Sequence, residues 1–261
     1  MDLGIEGNAA LVTAGTAGLG LASAAALAEA GVDVAVCGRD ETRLEEATER
    51  LEGIGGGDAL GVRADITEPR EIERFVERAV SAFGRLDHVV TSAGGPPPGS
   101  FLETDDEDWY AAYDLLVMSV VRTVRAAHPT LAEGGGTIVT ITSRSVREVL
   151  DDLVLSNAVR RAVTGLTKTL SRELSPEIRA NSVLPGAHET DRIEELIVDG
   201  VERGEHPDYE TALEEWAADV PAGRVGDPSE LGAAVAWLSS ERASYVNGVA
   251  LAVDGGSMRS L

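Results

Sequence analysis

Short β-branched runs alternate with longer amphipathic stretches along nearly all of this 261-residue chain. That alternation is the pattern of βαβ units and a parallel sheet. Strands are predicted at Ala10–Thr13, Asp33–Cys37, Ala59–Arg63, His88–Thr91, Thr137–Ile141, Arg179–Val183 and Val249–Val253. Helices fill the intervals. The first is predicted from about Gly18 to Ala30, closed by Gly31, and the second carries Glu41–Glu52 after Asp40; glycine suits the left-handed position just past a helix end. Strands this apolar need cover on both faces, and right-handed crossovers then give a doubly wound α/β sheet of about seven parallel strands flanked by helices.

No internal linker, low-complexity tract or further repeat interrupts the pattern, so residues 1–261 are read as a single domain of Rossmann type. Gly94–Gly99 is a short loop at a strand's carboxyl end, where such sheets bind ligands. Residues from about 191 to 219 are acidic and helical in pattern, and they follow a strand without promptly feeding another. They are read as an insertion that covers the substrate side of the site.

Forty-five acidic residues stand against 22 basic ones, a net charge of −23. Such a field repels phosphate backbones and anionic lipid heads, which excludes nucleic acid and membrane surfaces as partners. Lys168 is the sole lysine, and the acidic excess is spread along the chain rather than gathered in a tail. Self-repulsion opposes the compact state in dilute buffer, and at molar salt, where the Debye length is about 3 Å, most of it is screened. A halophilic cytosol is the expectation; a merely acidic mesophilic protein is the alternative. Hydrophobic residues make up 43% and mean hydropathy is −0.02, which fits neither a disordered tail nor a membrane protein. Cys37 is the only cysteine, so no internal disulfide and no cysteine-cluster metal site is expected. The first residues lack a basic, apolar leader pattern, and no run approaches the ~20 apolar residues of a spanning helix. A cytoplasmic location is therefore expected.

The first predicted strand ends in Thr13-Ala14-Gly15-Thr16-Ala17-Gly18-Leu19-Gly20 and opens directly into a helix. Backbone N–H groups and the positive end of the helix dipole favour an anion there, and glycines let the backbone approach it. An αβ connection that uses glycine only for its φ freedom has the same look.

Together with later segments, this turn resembles that of the short-chain dehydrogenase/reductase family, Thr-Gly-x-x-x-Gly-x-Gly. Gly18 and Gly20 fall on the second and third family glycines, while Ala14 stands at the first with Gly15 beside it. Asp65, followed by Ile66, matches the family aspartate at the adenine ring. Thr91-Ser92-Ala93-Gly94 matches Asn-Asn-Ala-Gly with both amides replaced, and Pro185-Gly186-Ala187-His188-Glu189-Thr190 matches Pro-Gly-x-x-x-Thr, where Thr190 would bond the nicotinamide carboxamide. The ending Val253-Asp254-Gly255-Gly256 is also similar to the family's. The resemblance implies a nicotinamide dinucleotide held by Thr13, Gly15, Thr16, Gly18, Leu19, Gly20, Asp65, Ile66, Ala93, Gly94, Pro185, Gly186 and Thr190. At the end of the second strand an acid would bind the ribose of NAD. Gly38 stands there, and Arg39 offers a planar charged fork for a 2′-phosphate, so NADP is preferred and NAD stays possible. Arg39 paired with Asp40 or Glu41 is the alternative reading.

The catalytic positions depart from the family. There, a Tyr and a Lys four residues later lie on one helix face, and the Lys lowers the phenol's pKa from about 10 so that it can exchange a proton with the carbonyl oxygen. Ala162-Val163-Thr164-Gly165-Leu166-Thr167 aligns with the family's Ala-Val-x-Gly-Leu-Thr, which puts Arg160 on the Lys and Ser156 on the Tyr. Ser143, thirteen residues before Ser156, matches the family's catalytic serine, and Leu116 falls where its Asn would be. A serine hydroxyl has no pKa tunable to neutrality. Arg160 keeps a positive charge and donors for the nicotinamide ribose, but a guanidinium cannot relay a proton. His188, or Asp151 and Asp152, could replace the missing donor, and Arg144 and Arg147 could meet an acidic substrate or simply pair on the surface.

The resemblance therefore implies an NADP-preferring oxidoreductase, akin to 3-oxoacyl-carrier-protein reductases, that moves hydride between cofactor and a small ketone or secondary alcohol. Two other classes are open. Loss of Tyr and Asn suits a dinucleotide-binding sensor or structural subunit without turnover, and Arg160 invites comparison with cofactor-free relatives that eliminate halide from haloalcohols. Family members form homotetramers through two long helices, here expected at about Asp105–His128 and Leu153–Leu174; a homodimer is the smaller alternative.

Overall fold

Ala9–Val12 (β1) is apolar and buried at every position because both of its faces are covered. It lies inside one parallel sheet with Asp33–Gly38 (β2), Ala59–Arg63 (β3), His88–Thr91 (β4), Gly136–Ile141 (β5), Ile178–Pro185 (β6) and Ala250–Val253 (β7), in the order β3-β2-β1-β4-β5-β6-β7. The computed structural model describes residues 2–204 and 206–260, without the side chains of residues 192, 195, 196 and 199. All six strand pairs are parallel. The seven-stranded doubly wound fold expected from periodicity is the observed one.

Alternate residues feed two cores, as the period of two requires. In β4, Val89 joins the core of Pro69–Phe83 (α3), Ser119–Gly134 (α5) and Val154–Glu173 (α6), centred on Phe75, Leu131, Ile138 and Leu155. Val90 joins the opposite core of Gly18–Glu29 (α1), Glu41–Ile54 (α2) and Pro228–Ser239 (α9), centred on Leu27, Val36 and Leu231. The remaining helices are Asp106–Tyr113 (α4), Asp191–Glu202 (α7) and Tyr209–Ala217 (α8). The last two occupy the segment read as an insertion.

Element types follow the sequence more closely than their ends do. The helix expected over Asp105–His128 is α4, a π-helical turn at Asp114–Met118, and α5, which continues past Pro129 to Gly134. Burial of Leu131 in the core outweighs the hydrogen bond that Pro129 cannot donate. β6 extends beyond Val183 to Pro185 because Leu184 and Pro185 still pair with β7.

Candidate functional site

The strand order reverses direction between β1 and β4, and there the loops diverge and leave a crevice at the carboxyl edge. A cleft of about 950 Å³ occupies it. Its walls come from the β1–α1 turn, the ends of β2 and β4, the loop after β3, and the segments after β5 and β6, with Ser156 and Arg160 from α6.

At the turn, α2, α4, α8 and α9 offer a contrast. Each is capped by an aspartate side chain: Asp40, Asp105, Asp208 or Asp227. α1 is preceded by Ala17, which makes no such cap, and carries no acid in its first turn. Its first N–H groups thus lack the side-chain partner that those four helix starts have. A Cβ on Gly20 would fall 2.3 Å from the Ala14 carbonyl oxygen, so only glycine lets the turn close beneath the helix. Ala14, at the first family glycine, has φ of 46°, a left-handed conformation that strains an alanine. Bare amides and a close backbone fit a pyrophosphate.

Thr13 lies behind the lining, 2% exposed. Its hydroxyl donates to Ser92 O at 2.7 Å and accepts from Ser92 N at 2.9 Å, tying β1 to β4. Gly15 also lies behind the lining, its N–H donating to Cys37 O at 3.0 Å, and a Cβ there would strike Val36. Thr16, Gly18, Leu19 and Gly20 face the cleft.

Beyond β2 stand Gly38, Arg39, Asp40 and Arg43. A Cβ on Gly38 would lie 2.6 Å from Thr16 Cγ2, so Thr16 fills the space an acidic side chain would need. Arg39 is largely exposed, with only a loose 3.8 Å pairing to Asp65. Burial would raise the Asp65 carboxyl, but the Thr67 N–H at 2.9 Å, the Thr67 hydroxyl at 2.8 Å and the charges of Arg39 and Arg63 hold it below its ordinary value. Burial pushes the Cys37 thiol up to about 12, so it stays protonated. Ile66 and Asp65 line the adjoining wall.

At the other end, Ala93 and Gly94 face Ser143, Pro185, Gly186 and Thr190. Ser143 Oγ accepts the Ser145 N–H at 3.0 Å, and Ser145 Oγ lies 3.1 Å from Ser156 Oγ. Arg160 donates from Nη1 to Thr142 O at 3.1 Å and from Nη2 to Gly94 O at 3.3 Å, clamping the ends of β5 and β4 together. Leu116, at the family Asn position, is buried in the α5–α6 core, inside the π-helical turn.

The substitutes named from sequence fare differently. His188 borders the cleft, but its ring is buried, with Nδ1 3.2 Å from Gly186 O, and burial lowers its pKa. Asp151 and Asp152 are exposed and outside the lining, as is Arg147, whose guanidinium donates to Ala250 O at 3.1 Å. Arg144 is half-buried and also outside it. Sequence reasoning missed Arg43, Leu115, Ile193 and Ser145. Arg43 lies one helical turn beyond Arg39, a spacing that could have flagged it; Leu115 and Ile193 carry no chemical signal. Among the described residues, no group of His, Cys, Asp and Glu could hold a metal ion.

A family described as enoyl-(acyl carrier protein) reductase matches residues 13–258. "Dehydrogenase/reductase SDR family member 4" of Caenorhabditis elegans is 30% identical over 254 residues, covering 96% of this chain and 95% of that one. L-sorbose reductase from Gluconobacter frateurii, solved with NADPH and L-sorbose, superposes over all of both chains with a TM-score of 0.95 at 32% identity. A 7α-hydroxysteroid dehydrogenase solved with NADH and a 7-oxo bile acid superposes over 100% of this chain and 98% of that one, with a TM-score of 0.88 at 29% identity. The sheet order, the cleft at its switch point and these full-length likenesses make the chain a member of the short-chain dehydrogenase/reductase family.

Proposed function

We propose that the chain is an NADPH-preferring oxidoreductase that interconverts a small ketone and its secondary alcohol, with the hydroxyl of Ser156 where its family uses a phenol. One observation carries this reading: a single cleft gathers the uncapped start of α1, Arg39, Thr190, Ser143, Ser156 and Arg160. Thr16, Gly18, Leu19 and Gly20 would hold the pyrophosphate, with Thr13 and Gly15 bracing the turn from behind. Arg39 and Arg43 would take the 2′-phosphate, Asp65 and Ile66 the adenine side, and Ala93, Gly94, Pro185, Gly186, Thr190 and Arg160 the nicotinamide side. The bound nicotinamide would supply or accept hydride. Ser143 and Ser156 would hydrogen-bond the carbonyl oxygen, and water in the cleft would provide the proton. The 3-oxoacyl thioesters named by resemblance are one candidate substrate class. Ala111, Leu115 and Ile193 add small and apolar contacts on that side.

Calorimetric titration with NADPH and NADH, paired with turnover of L-sorbose, a 7-oxo bile acid and a 3-oxoacyl thioester, tests it. Turnover with tighter NADPH binding is expected. The second reading, a sensor or structural subunit, draws on the clamping of Arg160 to two backbone carbonyls and the absence of a phenol. NADPH binding without oxidation on any carbonyl would favour it.

We extend the proposal to a salt-rich cytosol, from the net charge of −23. A homotetramer through the faces of α4, α5 and α6 accords with the exposed Tyr110 and Tyr113 of α4. Light scattering at high salt checks the assembly.

A further inference from the structure

We infer that Ser145 is a positioning residue that aims two hydroxyls, those of Ser143 and Ser156, into the cleft as a paired hydrogen-bond donor for a carbonyl oxygen. The inference rests on the oxidoreductase reading and deepens it.

Ser145 is completely buried and absent from the cleft wall, so it does not touch substrate. It nevertheless contacts both serines that line the cleft. Its backbone N–H donates to Ser143 Oγ at 3.0 Å, in the first turn of a short 3₁₀ segment, Arg144–Val146, that Ser143 caps. Its hydroxyl lies 3.1 Å from Ser156 Oγ and 3.4 Å from Ser156 O.

The donor count follows from the chemistry of a hydroxyl, which has one proton and two acceptor lone pairs. Ser143 Oγ, already accepting from an N–H, keeps its own proton to give. The hydroxyl of Ser145 has no exit to water, and both of its neighbours on Ser156 are oxygens. Either oxygen of the hydroxyl pair can donate; with Ser145 donating to Ser156 Oγ, the nearer of its two acceptors, the Ser156 proton is left to point outward. One enclosed serine thus orders two that line the cleft, so neither has to be reoriented when charge builds on the substrate oxygen. In the reduction, a bound reduced nicotinamide would supply hydride to the carbonyl carbon as the C=O π pair moves onto oxygen. The two hydroxyls hold that oxygen while cleft water gives up the proton and leaves hydroxide to the solvent. No serine changes its protonation state overall.

The test uses the full-length chain at high salt with NADPH and the carbonyl substrate of the panel that the wild type reduces. Ser145→Ala should lower kcat/KM on the order of 10- to 100-fold, below the 10²–10³ seen for outright loss of an oxyanion donor. NADPH affinity should change less than about twofold, since Ser145 lies outside the cleft wall. Ser145→Thr, which keeps the hydroxyl, should restore most of the loss, and Ser145→Ala should cost much less in a Ser156→Ala background, because the two act through one hydrogen bond. If Ser145→Ala does not fold, the near-isosteric Ser145→Cys, whose thiol is a weaker donor, carries the comparison and should lose roughly three- to tenfold. Wild-type kcat/KM in the folded variant, full additivity with Ser156→Ala, or a loss confined to NADPH affinity would each overturn the inference. A wild-type protein that binds NADPH but reduces nothing would instead overturn the oxidoreductase reading.

Discussion

The backbone of Gly38 and the side chain of Thr16 share one space: a Cβ on Gly38 would lie 2.6 Å from Thr16 Cγ2 and 2.8 Å from Thr16 Oγ1. An aspartate at position 38 therefore meets Thr16 before it can reach a ribose hydroxyl. Arg39→Ala should weaken NADPH by on the order of tenfold and leave NADH within about twofold, as expected for the loss of one charge-assisted contact. Gly38→Asp alone should lose NADPH without gaining NADH, whereas Gly38→Asp with Thr16→Ala should gain it. Fluorescence titration of each variant with both nucleotides decides; tight NADH binding by Gly38→Asp alone would contradict the steric argument.

Ala14 holds a φ of 46° in the turn beneath α1. For a residue with a Cβ that region costs roughly 1–2 kcal/mol, and the added chain entropy of glycine takes back part of the gain. Ala14→Gly should stabilise the protein by about 0.5–1 kcal/mol. A denaturant midpoint that stays put or falls would show that the turn relaxes around alanine without strain.

His88 is buried at the amino end of β4, its two ring nitrogens each 2.9 Å from a partner, Thr137 Oγ1 and Asn8 Nδ2. Burial, only partly opposed by Asp87, pushes its pKa down from 6.5 to about 4. The unfolded chain thus binds a proton that the native ring refuses. Stability is present above pH 6.5 and is lost as the pH falls from there toward 4, by about 1.4 kcal/mol per pH unit from this group. Subtracting the pH dependence of His88→Gln from that of the wild type isolates the effect. Parallel curves would assign the acid sensitivity to the carboxylates alone.

Gly226 packs against the ring of His188, where a Cβ would sit 2.9 Å from Cδ2 and 3.1 Å from Nε2. The same seam joins the Thr190 loop to the start of α9 through Glu189 N to Gly226 O and Gly226 N to Ala187 O, at 2.9 and 3.0 Å. Gly226→Ala should cost about 1–3 kcal/mol by overpacking and weaken nucleotide binding in step. Loss of stability with unchanged nucleotide affinity would uncouple this seam from the cleft.

Raising KCl from 0.1 to 3 M should raise the melting midpoint, each kcal/mol regained being worth roughly 2–4 °C at this chain length. A midpoint indifferent to salt would leave an ordinary acidic protein.

The chain's own periodicity determined the seven strands, their parallel order of succession and the glycine-rich turn, because those depend on local alternation and on φ freedom that nearby residues dictate. Motif spacing likewise pointed to Ser143, Ser156 and Arg160, which line one cleft. The tertiary structure decided what spacing cannot encode. Thr16 meets Gly38 only once β1 and β2 lie side by side. The Arg160 guanidinium meets Gly94 and Thr142 only where β4 and β5 end together. Asp151 and Asp152 fell outside the cleft although they precede Ser156 by about one helical turn, because α6 begins only at Val154. Ser145 gave no sign in sequence, since its contacts with Ser143 and Ser156 form across a loop and a helix. Contacts between residues distant in the chain are set by packing against a shared core, and packing has no one-dimensional signature.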